Sequence, residues 1–378
     1  LSMEERIAQS IFLTTGPGKD LSHYFLIDKL IREHGAGGLV VSPGSAAASY
    51  FRSAGRVPLA VAIDDPSGCK GFWPGGEAFL DFPGPLTLGA VENDLLIQQL
   101  GDMLARQYRL MGAQLVLTPA SELPLPSLLQ DRFNENHILH LEKGGRALEE
   151  FTVIDTDKEA DTVKAEIGKL MEWEAADTSD INRVARSVLA MKYWTGLSQS
   201  QQKYGTTGED LRDSPETKAH IRDIYANSLT VQRNQGELIP LKGLATQKIA
   251  CISLTGEAPS GPGQGSLIPF QEMAANYTLM DQFWWYPGKT GEVSLLAKLG
   301  VYDVVLAGTY PGAAKGDFLS ALSKETQVIA VCFGEPLTLS PDGLILAYRH
   351  NDFTEELAAQ LIFGAIGGQG KLPLAISD

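Results

Sequence analysis

Cysteine is scarce in this 378-residue chain, and the three present, Cys69, Cys251 and Cys332, lie far apart. Thiols so scattered make neither a disulfide framework nor a cysteine-based zinc site. Cys251 and Cys332 fall inside apolar, strand-like runs and are expected to be buried thiols. Positive charge is also short: 31 Lys and Arg face 46 Asp and Glu, a formal charge of −15. No basic cluster interrupts that balance, which excludes a nucleic-acid partner and disfavours strongly acidic polysaccharides. No run approaches the ~18 apolar residues of a membrane span. Metal-ligand spacing is missing too. His137 and His140 stand three apart on an expected, exposed helix face with no third ligand at a suitable distance in sequence. Neither a metal nor a cofactor is implied.

What is present is ordinary globular material, 44% hydrophobic and 20% charged, enough to bury sizeable cores in two domains. The chain opens on an amphipathic stretch, LSMEERIAQSIF, with Ser2 as expected N-cap and Glu5 as its capping-box partner. Any signal peptide has already gone, so this start does not reveal the compartment. Residues 21–34 read as a helix, 38–42 as a strand, 46–54 as a short helix and 57–63 as a second strand. A helix over 93–111 and a strand over 113–118 follow. This β-α-β-α-β order implies parallel strands with right-handed crossovers. Beyond it come a loop over 121–136, a helix over 137–150, a strand over 151–155 and helices over 158–174 and 178–193. Four strands before Gly196 are too few for a closed eight-stranded barrel.

The stretch from Val57 to Trp73, VPLAVAIDDPSGCKGFW, organises the first part. Its apolar run stops in Asp64 and Asp65, then in turn-forming Pro66, Ser67 and Gly68. Such a strand end delivers side chains to the place where α/β enzymes bind ligands. Asp64 and Asp65 read either as a catalytic pair or as a turn that caps backbone amides. Asp155 reads as an N-cap or as an acid/base group. Residues 1–197 form one expected domain and 198–245 a linker with a connecting helix over 215–232. Residues 246–378 form an α/β sandwich with a mostly parallel sheet, its strands at 248–254, 302–307, 327–333 and 343–348. Within it, GPGQG at 261–265 reads as a loop, and the aromatic cluster Phe283 to Tyr286 as a plug between domains or a sugar platform.

Nine segments, in order, carry a resemblance: MEERIAQSIF, HGAGGLVVSPG, VPLAVAIDDPSG, FPGPLTLGAVENDLL, GAQLVLTPASEL, VARSVLAMKYWTGL, IYANSLTVQRN, ELIPLKG and EELAAQLIFGAIGGQGKLPLAIS. Together they resemble glycoside hydrolase family 3, in its β-N-acetylglucosaminidase branch. The particular likeness is to bacterial proteins often fused to a β-lactamase-like serine hydrolase. That resemblance implies a (β/α)8 barrel followed by an α/β sandwich, a bacterial cell envelope or periplasmic location, and a retaining glycosidase.

It also implies an Asp nucleophile in a segment like VTDAL and a His acid/base in a loop like KHFPGHGDTDSH. Neither segment occurs here, and the gap falls between residues 150 and 151. Of the family's Asp-x-Glu-x-Gly turn, Asp64 is kept but Pro66 replaces the Glu, and Phe72 falls where an Arg is expected. Arg132 and Phe133 partly match a sugar-gripping Arg-Ser-Phe-Gly segment. The expected substrate contacts are therefore Asp64, Arg132 and Phe72, and the catalytic candidates Asp64, Asp65 and Asp155. The expectation is an incomplete, degenerate barrel plus sandwich, without activity, serving as a structural, carbohydrate-binding or partner-binding module. An active β-N-acetylhexosaminidase and a small-molecule binder through the C-terminal domain are the alternatives. A sugar is the expected ligand. A homo-oligomer or a partner protein is expected to cover the shortened barrel.

Overall fold

The computed structural model describes residues 1–16, 18–42, 51, 54–65, 82–119, 125–143, 151–171, 178–197, 214–256, 268–286, 291–313, 316–334 and 340–373. It divides into two compact units, Leu1–Phe82 with Ile97–Lys218, and Pro83–Leu96 with Ala219–Asp378. The aligned elements are α1 (Met3–Ala8), β1 (Ile11–Thr15), α2 (Leu21–His34), β2 (Gly38–Val41), β3 (Ala60–Asp64), α3 (Pro85–Gly89), α4 (Asp94–Leu110), β4 (Leu115–Thr118), α5 (Ser127–Glu135), β5 (Leu139–Glu142), β6 (Thr152–Ile154), α6 (Ala160–Met171) and α7 (Thr178–Trp194). After them come α8 (Pro215–Ser228), β7 (Thr230–Asn234), β8 (Ile249–Leu254), α9 (Pro269–Ala275), β9 (Asp281–Trp285), α10 (Glu292–Leu299), β10 (Val304–Thr309), α11 (Gly316–Leu322), β11 (Gln327–Cys332), β12 (Gly343–Leu346) and α12 (Asp352–Ile362).

The first unit is built on a curled, parallel six-stranded half-barrel in the order β5-β4-β3-β2-β1-β6. Its interior strands β2 and β4 are buried at every residue, as strands covered on both faces must be. The most exposed strands are β5 and β6, the two edges. Parallel register places Phe12 beside Gly38, and Gly38 beside Ala60. Val40, Ala62, Leu115 and Leu139 form the next row, and Asp64, Leu117 and Leu141 the one after it. Side chains alternate between faces, so these residues share one face. On that face Val188 and Met191 of α7 pack against Phe12, Val40, Ala62, Leu117 and Leu141. Burying each such side chain stabilises the fold by roughly 1.5–3 kcal/mol. The opposite face meets α2, α4 and α5, through contacts such as Thr15 with His23 and His140 with Phe133.

Several elements differ from the sequence expectation. The capping box of Ser2 and Glu5 forms, but α1 ends at Ala8 and β1 follows. Ile7 and Ile11 are four apart and mimic a helical stripe, whereas the aromatic and β-branched run IFLTT favours the strand. α5 replaces an expected loop, and β5 an expected helix over 137–150. His137 adopts a left-handed backbone, φ 58°, and its ring meets Trp194 edge-on at 5.4 Å. His140 follows on the strand, so the two histidines share no helix face.

In the second unit the sheet order is β7-β12-β11-β10-β8-β9, all parallel except β7. β7 takes the end of the helix expected over 215–232. β9 is an edge strand, and its Phe283 and Trp285 pack into the unit's own core with Leu295, Leu299 and Tyr302. Cys251 and Cys332 are buried thiols, and burial pushes the pKa of Cys251 far up. Residues 66–81 (with Phe72), 144–150, 198–213 and 257–267 (with GPGQG) lie outside the described residues.

Candidate functional site

Ligands of parallel α/β sheets bind outside the carboxyl ends of the strands, which here is the open end of the half-barrel. β3 ends there in Asp64, whose side chain lies on the same face as Ala62 and Leu117. Its Oδ1 meets Lys143 Nζ at 2.5 Å, just beyond the end of β5. Asp65, one residue on, faces the other way. It is fully buried, and Tyr108 of α4 donates its hydroxyl to Asp65 Oδ2 at 3.0 Å. The Asp65 N–H donates to Leu117 O at 2.8 Å and extends the pairing of β3 with β4. The two acids therefore cannot converge on one ligand atom.

Asp155 follows β6 and is exposed. Its Oδ1 accepts the Asp157 N–H at 3.0 Å and lies 3.5 Å from Thr14 Oγ1. This is an Asx turn that fixes the chain after the strand. β6 and β3 are separated by β1 and β2, so Asp155 and Asp64 stand at the ends of strands that do not neighbour each other.

Arg132 stands on α5. Its guanidinium clasps Asp102 of α4 through Nε at 2.9 Å and Nη2 at 2.7 and 2.8 Å, and it also meets Glu135. Those contacts hold its pKa up, the Asp102 hydrogen bond foremost. The pair joins two helices. Gly101 permits the approach, since a Cβ there would lie 2.7 Å from Arg132 Cβ. His140, on the helix-covered face, meets Thr118 Oγ1 at 2.8 Å, and burial lowers its pKa. Among the described residues no group of three or more His, Cys, Asp or Glu side chains is placed to hold a metal. No helix among them is long and apolar enough to cross a membrane.

A second concavity belongs wholly to the second unit. It is a cleft of about 620 Å³ at the carboxyl ends of β10, β11 and β12, lined by Tyr310, Phe333, Tyr348, Arg349 and His350 among others. Behind it Glu355 of α12 is almost fully buried. One carboxylate oxygen accepts the Tyr310 hydroxyl at 2.9 Å and the Phe270 N–H at 3.1 Å, and the other meets His350 Nε2 at 2.8 Å. Burial, and then the charge of Glu355, push the Tyr310 phenol well above its ordinary value, so it stays a donor. Sequence reading missed this cluster. His350 and Glu355 are five apart at a helix start, and Tyr310 comes from a distant strand end, so no local pattern joins them.

A curled parallel sheet followed by a mixed α/β sheet is a fold that this chain shares with solved structures of family 3 glycoside hydrolases. Among solved structures, the chain is similar to a glycoside hydrolase family 3 β-N-acetylglucosaminidase from Paenibacillus sp. str. FPU-7, at 14% identity and TM-score 0.65, covering 99% of this chain and 98% of that one. It is also similar to a β-glucoside phosphorylase bound to 2FGlc, at 14% identity and TM-score 0.67, covering 99% and 94%. A β-glucosidase from Listeria innocua in complex with isofagomine matches at 15% identity and TM-score 0.65, covering 99% and 74%. At such identities the likeness establishes the fold alone. No family model matches the sequence, and no curated protein matches it.

Proposed function

We propose that this chain keeps the family 3 framework without its hydrolytic chemistry, and serves as a carbohydrate-binding or partner-binding module of the bacterial cell envelope. One observation carries the reading: each candidate acid is committed to a structural contact, Asp64 to Lys143, Asp65 to Tyr108 and Asp155 to the turn at Asp157. A glycosidase needs two carboxyl groups facing one bond, one to transfer a proton and one to attack or to activate water. Asp64 ends β3 and Asp155 follows β6, with β1 and β2 between them. Asp64 is bound to Lys143, and Asp65 faces the helices. The absence from the sequence of segments like VTDAL and KHFPGHGDTDSH supports the same reading.

The test is hydrolysis of p-nitrophenyl N-acetyl-β-glucosaminide by the full chain. The expected result is no release of nitrophenol above buffer. Turnover that disappears in Asp64→Asn or Asp155→Asn would overturn the proposal and restore the β-N-acetylhexosaminidase reading.

A partner fits the sheet edges. Among the described residues β5 and β6 each pair with one neighbour only. Val153 of β6, level with Phe12, is 44% exposed. Open parallel edges are normally covered. Sedimentation is expected to show self-association or a stable complex, and a strictly monomeric chain at high concentration counts against this part.

A further inference from the structure

We draw no further inference here: the strongest candidate, the cleft at the carboxyl ends of β10, β11 and β12 in the second unit, carries nothing, because its Tyr310 and Tyr348 hydroxyls and the Nε2 of His350 are already engaged within the protein and nothing among the described residues shows what would occupy it.

Discussion

Asp64 and Asp65 are adjacent in the chain and serve opposite faces of one sheet: Asp64 reaches Lys143 at 2.5 Å, and Asp65 accepts the Tyr108 hydroxyl at 3.0 Å. A strand alternates its side chains, so a doublet of acids at its end divides between faces instead of forming a catalytic pair.

The two acids should therefore respond differently to substitution. Asp64→Asn removes a partly exposed ion pair, and its stability in urea is expected to change by less than about 1 kcal/mol. Asp65→Ala leaves a buried tyrosine hydroxyl without this acceptor and is expected to cost about 1–3 kcal/mol. A double-mutant cycle with Tyr108→Phe measures how much of that loss belongs to the pair.

Lys192 gives a pH dependence. It is 4% exposed on α7, its Nζ bonds Gln9 Oε1 at 2.8 Å, and burial lowers its pKa from 10.5 to about 7. Between those values the unfolded chain holds a proton at this lysine that the folded chain does not. Stability therefore rises with pH across that window, by up to about 1.4 kcal/mol per pH unit from this group. Lys192→Met is expected to raise stability at pH 7. The gain should shrink as the pH approaches 10, when urea unfolding is compared with that of the unsubstituted protein.

At Gly101 two effects compete. Alanine gains about 1 kcal/mol of helix propensity over glycine. The added Cβ, however, would lie 2.7 Å from Arg132 Cβ, and such overpacking costs about 1–3 kcal/mol. Gly101→Ala is expected to lower the unfolding midpoint. Combined with Arg132→Gly, which removes the clashing Cβ, the two substitutions should cost less than the sum of their separate effects.

Removing the acid behind the cleft tests how the second unit is held. Glu355→Gln keeps the volume but weakens the acceptor for Tyr310, His350 and the Phe270 N–H. A loss of about 1–3 kcal/mol is expected in urea, together with a changed His350 signal in imidazole NMR spectra.

The helix α2 could be read in sequence to the residue, Leu21–His34, because Asp20 caps it and Gly35, at φ 78°, ends it. Buried strands such as β8 and β10 were legible as unbroken apolar runs. β1, β5 and β7 were not: each is short, and a few apolar residues fit two periodicities until a neighbouring strand supplies the hydrogen bonds.

The sequence by itself thus determined the class of fold, an incomplete barrel followed by an α/β sandwich, and the acidic balance of the chain, because composition and long periodic runs are local properties. Only the tertiary structure decided that Asp64 and Asp65 part company, that Arg132 joins two helices, and that Tyr310, His350 and Glu355 meet. Those outcomes depend on which face each side chain takes and which distant strand end lies beside it. Both are fixed by packing and register across the sheet, and no stretch of the chain encodes either alone.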